Sequence, residues 1–306
     1  MSWNDRLVPR ALDGIRRIFL ARDHTLRAVW RLILALVLYY LWTGGVAVAL
    51  THAADALFRA WGITANNVHL APGYARWLAG NYAHLITIVS ACGVAYFAYR
   101  ATPDRAQLKL RPARFALGTL VGAAVVLAGG ALMLAFDSMR MPSSSPAFSP
   151  SILVYLPVLL AAALAEEMFA RGFALRMVKR RANRAWAYAA STVVFLFVTG
   201  AYQLTVMGMV NMLLFSAALC ALSERWSIWA TAGLRFGWSF AITCVMAFPG
   251  GGAARPILAL YPVSETLLTG GYGGLIAGLY MTVLLLLPIA FLIGKPIFRS
   301  RRAKRG

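Results

Sequence analysis

Ten acidic residues are present in this 306-residue chain, and eight of them (Asp5, Asp13, Asp23, Asp55, Asp104, Asp137, Glu224 and Glu265) lie in tails, loops or at the ends of apolar stretches. The other two, Glu166 and Glu167, are adjacent inside the run S-I-L-V-Y-L-P-V-L-L-A-A-A-L-A-E-E-M-F-A-R. An ionised carboxylate in such surroundings costs several kcal/mol unless a cation or water meets it. Two roles suit it there: a general base that takes a proton from water, or one half of a buried ion pair. Arg171 follows Glu167 by four residues, one helical turn, so these two can pair locally. Glu166 points about 100° away around the same helix and needs a partner from elsewhere in the chain. Arg235 is the other charge within an apolar segment. It reads either as the counter-ion of Glu166 or Glu167, or as a donor that steadies a developing oxyanion. As a counter-ion it would hold the carboxylate in its charged form and weaken it as a base.

Other chemistries are poorly provided for. All four histidines (His24, His52, His69, His84) lie in the N-terminal third, and the H-E-x-x-H zinc-peptidase motif is absent. Cys92, Cys220 and Cys244 fall inside apolar segments without zinc-ligand spacing and read as small packing residues. The reading calls for neither a metal nor a cofactor.

The elements that must carry these residues follow from composition. Sixty per cent of the residues are apolar, 13% are charged and the mean hydropathy is +0.68, so the chain reads as an all-α, polytopic integral membrane helical bundle. Apolar stretches long enough to cross a bilayer are expected near 28–50, 81–99, 115–136, 152–173, 185–201, 205–222, 227–248 and 275–294, about eight transmembrane helices. Gly200, Tyr202 and Gln203 interrupt the run 185–222 and suggest two short spans there in place of one long one. With an inward N terminus, 25 of the 30 Lys and Arg residues fall in segments on the N-terminal side of the membrane and four (Arg59, Arg76, Arg140, Arg255) in outer loops. That asymmetry puts both termini in the cytoplasm. It also explains the net charge of +20 without nucleic acid as a partner, since the basic residues are short clusters flanking apolar spans.

Residues 1–27 lack the apolar core of a signal peptide and instead set Leu7, Ala11, Ile15 and Phe19 at helical spacing among arginines. They read as a basic amphipathic segment on an anionic inner leaflet. The Pro- and Ser-rich stretch 141–151 marks an exposed outer connection. It separates N-terminal helices over 28–140 from a core over 150–295, which a basic cytoplasmic tail, 296–306, follows. Trp30, Trp42, Trp61, Trp77, Trp186 and Trp226 lie near expected span ends, where tryptophan anchors helices at the interface. Gly200, Gly208, Gly233 and Gly237 are read as sites of close helix approach, the last two as a G-x-x-x-G pair.

The run E-E-M-F-A-R-G at 166–172 resembles the E-E-x-x-x-R signature of the CAAX-protease and bacteriocin-processing family of glutamic intramembrane proteases. The stretch S-I-W-A-T-A-G-L-R-F-G-W-S-F at 227–240 resembles a later helix of that family that reads S-x-W-x-x-x-G-L-H-F-x-W-N-F. Residues 191–199, S-T-V-V-F-L-F-V-T, sit where its F-x-x-x-H helix is expected, and L-L-T-G-G-Y-G-G at 267–274 is similar in style. The resemblance covers roughly 150–295 and is strongest from 157 to 242. It implies a catalytic site on Glu166, Glu167, Arg171, Thr199, Arg235 and Ser239. Glu166 would activate water with a histidine on the next helix, and a later histidine and asparagine would hold the oxyanion. Those three positions are Thr199, Arg235 and Ser239 here.

The resemblance thus implies a metal-independent peptidase cleaving a membrane-associated peptide or protein near the cytoplasmic face. The lost imidazoles point to impaired catalysis, or to a pseudoprotease that binds such a partner without cutting it. A transporter, which would favour an internal repeat, has little support. A bacterial inner membrane is the expected location. The charge distribution predicts that reporter fusions at residues 145 and 260 mark the outer side and fusions at 108, 180 and 306 the cytoplasm. An outward C terminus would remove the eight-span arrangement.

Overall fold

The structure, a computed structural model, describes residues 27–103, 105–142, 150, 152–201, 205–246, 256–263, 267–268, 270 and 274–286. Apart from Arg27, the amphipathic segment lies outside the described residues, as do the basic tail, most of 141–151 and the end of the eighth expected span.

The chain is a multi-pass helical membrane protein. Four long rods form first: α1 (Ala28–Ala60), α2 (Gly73–Ala101), α3 (Pro112–Ala135) and a continuous helical stretch Ile152–Lys179. That stretch comprises α4 (Ile152–Glu167), a widened turn (Met168–Ala174) and α5 (Leu175–Lys179). Then come α6 (Arg184–Val198), α7 (Val206–Arg225) and α8 (Ile228–Phe240), the last continuing into a second widened turn, Ala241–Val245. Residues 279–286 are helical again. Five of these elements, α1, α2, α3, 152–179 and α7, are long and apolar enough to cross a membrane. Their outward faces carry large apolar side chains such as Leu41, Leu120, Leu153 and Val206, each at least 60% exposed. In water such faces would aggregate; in a bilayer they meet lipid.

Boundaries differ from expectation mainly at α1, whose 33 residues at about 1.5 Å each exceed the roughly 30 Å of hydrocarbon. The interrupted run is indeed two helices. Gly200 ends α6 with φ +69, and an added Cβ there would meet nothing. Its role is therefore the left-handed conformation that stops the helix, which corrects the expectation of close packing. Side-chain caps begin the next helices: Asn183 accepts from Trp186 N on α6, Thr205 from Gly208 N on α7 and Ser227 from Ala230 N on α8.

Trp42 departs from its expected place as well. It lies in the middle of α1, where its indole donates to the Ser90 carbonyl on α2 at 3.0 Å and its ring occupies the space a Cβ on Gly93 would need. It is a packing residue, because Gly93 leaves a notch at that level.

The closest packing in the bundle is between α3 and α8. A Cβ added at Gly233 or Gly237 would overlap the carbonyl oxygen of Phe115 or Thr119, and one added at Gly118 or Gly122 would overlap that of Ala230 or Leu234. The G-x-x-x-G expected on α8 therefore meets a second one on α3, and the two backbones approach as small-residue pairs allow in membranes. On the opposite side of the bundle from the α7–α8 turn, Met139–Arg140 (β1) pairs antiparallel with Tyr261–Pro262 (β2). Asn211 on α7 donates to the Ile276 and Gly278 carbonyls at 2.7 and 3.1 Å, satisfying non-helical backbone before the last helix.

Because the opposing atoms at Gly237 are backbone, Gly237→Ala should lower stability in detergent by about 1–3 kcal/mol. Gly44→Ala, where an added Cβ meets nothing, should be neutral. Equal melting of the two variants would show that close approach of α3 and α8 does not hold the bundle together.

Candidate functional site

The two glutamates on α4 face different neighbours, as their 100° separation requires. Glu167 and Arg171 are both fully buried and pair at 2.9 Å across one helical turn. The Arg171 guanidinium also donates from Nη2 to the Ser216 hydroxyl at 2.7 Å and carbonyl at 3.2 Å on α7, and the Ser216 hydroxyl donates to Thr192 Oγ1 on α6 at 3.1 Å. The local pair thereby ties three helices together. Glu167 Oε2 and Arg171 Nε have no hydrogen-bond partner among the described residues. The widened turn that begins at Met168 gives the helix five-residue hydrogen-bonded steps just after the glutamates, a device found often at functional sites. Ser191 on α6 supports it by donating to the Ala170 carbonyl at 2.8 Å.

Glu166 reaches across to α8. Arg235 Nε donates to its Oε2 at 2.6 Å and Nη2 to its Oε1 at 3.4 Å, while Nη1 donates to the Ser239 hydroxyl one turn further on at 2.8 Å. Each side chain of this pair is 14% exposed, in contrast to the sealed Glu167–Arg171 pair. Arg235 is thus a counter-ion, and its partner is Glu166. Three of the five guanidinium N–H groups are engaged in these bonds, and the Oε1 atom of Glu166 is the more loosely held of its two oxygens.

Phe195 on α6 joins the two pairs. Its ring centre lies 4.2 Å from the Arg171 guanidinium carbon and 5.9 Å from that of Arg235, both within reach of a cation–π contact. Tyr39 on α1 closes the site from another side, packing on Phe169 at 5.6 Å and donating its hydroxyl to the Val198 carbonyl at 3.1 Å. Thr199 follows α6 and is half-buried, with its hydroxyl bonded back to the Phe195 carbonyl at 2.7 Å. Among the described residues no hydrogen bond joins Thr199 to Glu166 or Arg235; Glu166, Arg235 and Ser239 come together while Thr199 stays a neighbour of Phe195.

The segment that carries α4, α6 and α8 resembles a known family in sequence. Residues 148–241 match the family model described as type II CAAX prenyl endopeptidase Rce1-like. The matched region contains Glu166, Glu167, Arg171, Thr199, Arg235 and Ser239, and agrees with the strongest part of the resemblance read from the sequence. No curated protein and no solved structure matches the chain. The match supports an intramembrane-protease-like fold for that region.

Sequence reasoning missed Phe195, Tyr39, Ser216 and Thr192. A signal existed for Phe195 alone, which supplies the phenylalanine of the F-x-x-x-H pattern ending at Thr199. The others depend on how neighbouring helices are rotated, which no local spacing encodes.

Arg235→Ala should strand the Glu166 carboxylate and destabilise the protein by about 3–5 kcal/mol, with Glu166→Gln added to it restoring part of the loss. Unfolding in detergent provides the measurement. Single and double variants that melt alike would show that the pair has no energetic coupling.

Proposed function

We propose that this chain is a CAAX-protease-like pseudoenzyme of the bacterial inner membrane. In this reading eight spans place both termini in the cytoplasm, and a module over 150–295, packed against the helices of 28–140, engages a membrane-associated peptide or protein near the cytoplasmic face. The observation that carries the reading is the Arg235–Glu166 pair, with its 2.6 Å contact. A base must present a lone pair to water and accept its proton. A carboxylate already matched by a permanent cation is a poor acceptor, and Thr199 offers no imidazole to share the work. Losing general-base assistance of this kind costs about 100- to 10,000-fold in rate.

A second reading rests on the more weakly bonded Glu166 Oε1, at 3.4 Å from Arg235, within a pair that the protein does not fully bury. There Glu166 activates water through Oε1 while Arg235 and Ser239 hold the oxyanion, giving a glutamic endopeptidase of altered mechanism.

The two readings separate on one assay with purified protein and a farnesylated CAAX peptide. The expected result is binding without Glu166-dependent cleavage, and partial recovery of cleavage when Thr199→His, Arg235→His and Ser239→Asn are combined. Robust cleavage by the native chain, abolished by Glu166→Gln, would overturn the pseudoenzyme reading and establish the second.

A further inference from the structure

α8 presents three stripes. Gly233 and Gly237 face α3, Arg235 and Ser239 face Glu166, and Ala230, Leu234 and Trp238 line a separate groove of about 410 Å³ between α3, α7 and α8. The groove runs along the helix axes, from Arg225 and Trp226 at one end to Phe215 and Trp238, whose rings stack at 4.4 Å, towards the other. From Arg225 to Phe215 on α7 is about 15 Å at 1.5 Å per residue. Apart from Arg225 its lining is apolar or aromatic.

The Arg225 end is basic. Arg114 on α3 donates to the Trp226 carbonyl, placing a second guanidinium beside the mouth, and Arg111 is exposed one turn earlier on the chain. The nearest acid is engaged elsewhere: Glu224 Oε1 binds Lys179 at 2.6 Å, and its Oε2 binds Arg184 at 2.5 Å and the Tyr188 hydroxyl at 2.9 Å. Among the described residues no carboxylate pairs with Arg225 or Arg114. Trp226 closes α7 half-exposed, and arginine with tryptophan at a helix end marks the headgroup level of a bilayer.

We propose that this groove holds an acyl chain of an anionic phospholipid, whose phosphate is bound by Arg225 and Arg114 at the mouth. An apolar slot that starts at headgroup depth and runs into the hydrocarbon has the form of one lipid chain. Two uncompensated guanidiniums at its rim select a phosphate that carries net negative charge over a zwitterionic headgroup. The site lies on a different face of α8 from the Glu166–Arg235 pair and does not depend on the reading of that pair.

The test uses the full chain in detergent, with dioleoylphosphatidylglycerol and dioleoylphosphatidylcholine as probes, read by thermal unfolding and by native mass spectrometry of retained lipid. Phosphatidylglycerol should raise the midpoint and stay bound. Phosphatidylcholine and glycerol 3-phosphate should do neither. Arg225→Gln should weaken phosphatidylglycerol binding by about tenfold, the worth of one charge-assisted contact. Ala218→Trp, which fills the slot, should abolish it; Arg225 is exposed, so its variant keeps the test open even where Ala218→Trp folds poorly. Equal effects of the two phospholipids, or a phosphatidylglycerol effect that survives Arg225→Gln, would overturn the proposal. So would a slot that Ala218→Trp closes to S-farnesyl cysteine but not to phosphatidylglycerol, since the groove would then belong to a prenyl chain.

Discussion

A charge in the hydrocarbon layer must be met by an opposite charge, and two adjacent glutamates on one helix impose that requirement twice, in two directions. Glu167 meets it within its own helix through Arg171, and Glu166 meets it through Arg235 on α8. The first pair, through the Arg171–Ser216–Thr192 contacts, holds α4 against α7 and α6; the second reaches α8. It fixes the rotation and depth of α8 against α4, while the interlocked glycines fix α8 against α3. Rotating α8 would therefore both leave a carboxylate unmatched and set residues that carry a Cβ against the backbone carbonyls of α3. Phe195, lying near both guanidinium groups, brings α6 into the same arrangement.

Much of this was legible in the amino-acid order, for reasons specific to each element. The apolar runs had to be helices because backbone groups in lipid must bond within their own segment. The Glu167–Arg171 pair followed from a four-residue spacing. Arg235 announced itself as a counter-ion because it was the one other charge in an apolar segment, although only the geometry chose Glu166 over Glu167. The glycine pair of α8 was visible, but its partners Gly118 and Gly122 were not singled out, since glycines scattered along α3 leave open which face is used. Trp42 and Gly200 were misread for a common reason: residue type was used to infer a role that depends on position, at the middle of a long helix in one case and at a helix end in the other.

The substitution of arginine for histidine at position 235, relative to the pattern the sequence resembles, alters what the site is capable of. An imidazole donates or accepts a proton near neutral pH and hands it on. A guanidinium stays charged and only donates hydrogen bonds. A site built on Glu166 and an imidazole is one for moving protons, whereas Glu166 with Arg235 is an ion pair with N–H groups to spare. The two N–H groups that Arg235 does not spend on Glu166 and Ser239 are what a peptide carbonyl can take without breaking the ion pair. Taking a proton from water at Glu166 would instead discharge the carboxylate and leave the arginine unmatched in a largely apolar setting, at a cost that binding alone does not incur. In the proposed reading, recognition of a peptide keeps the pair intact, whereas base chemistry at Glu166 would have to give it up.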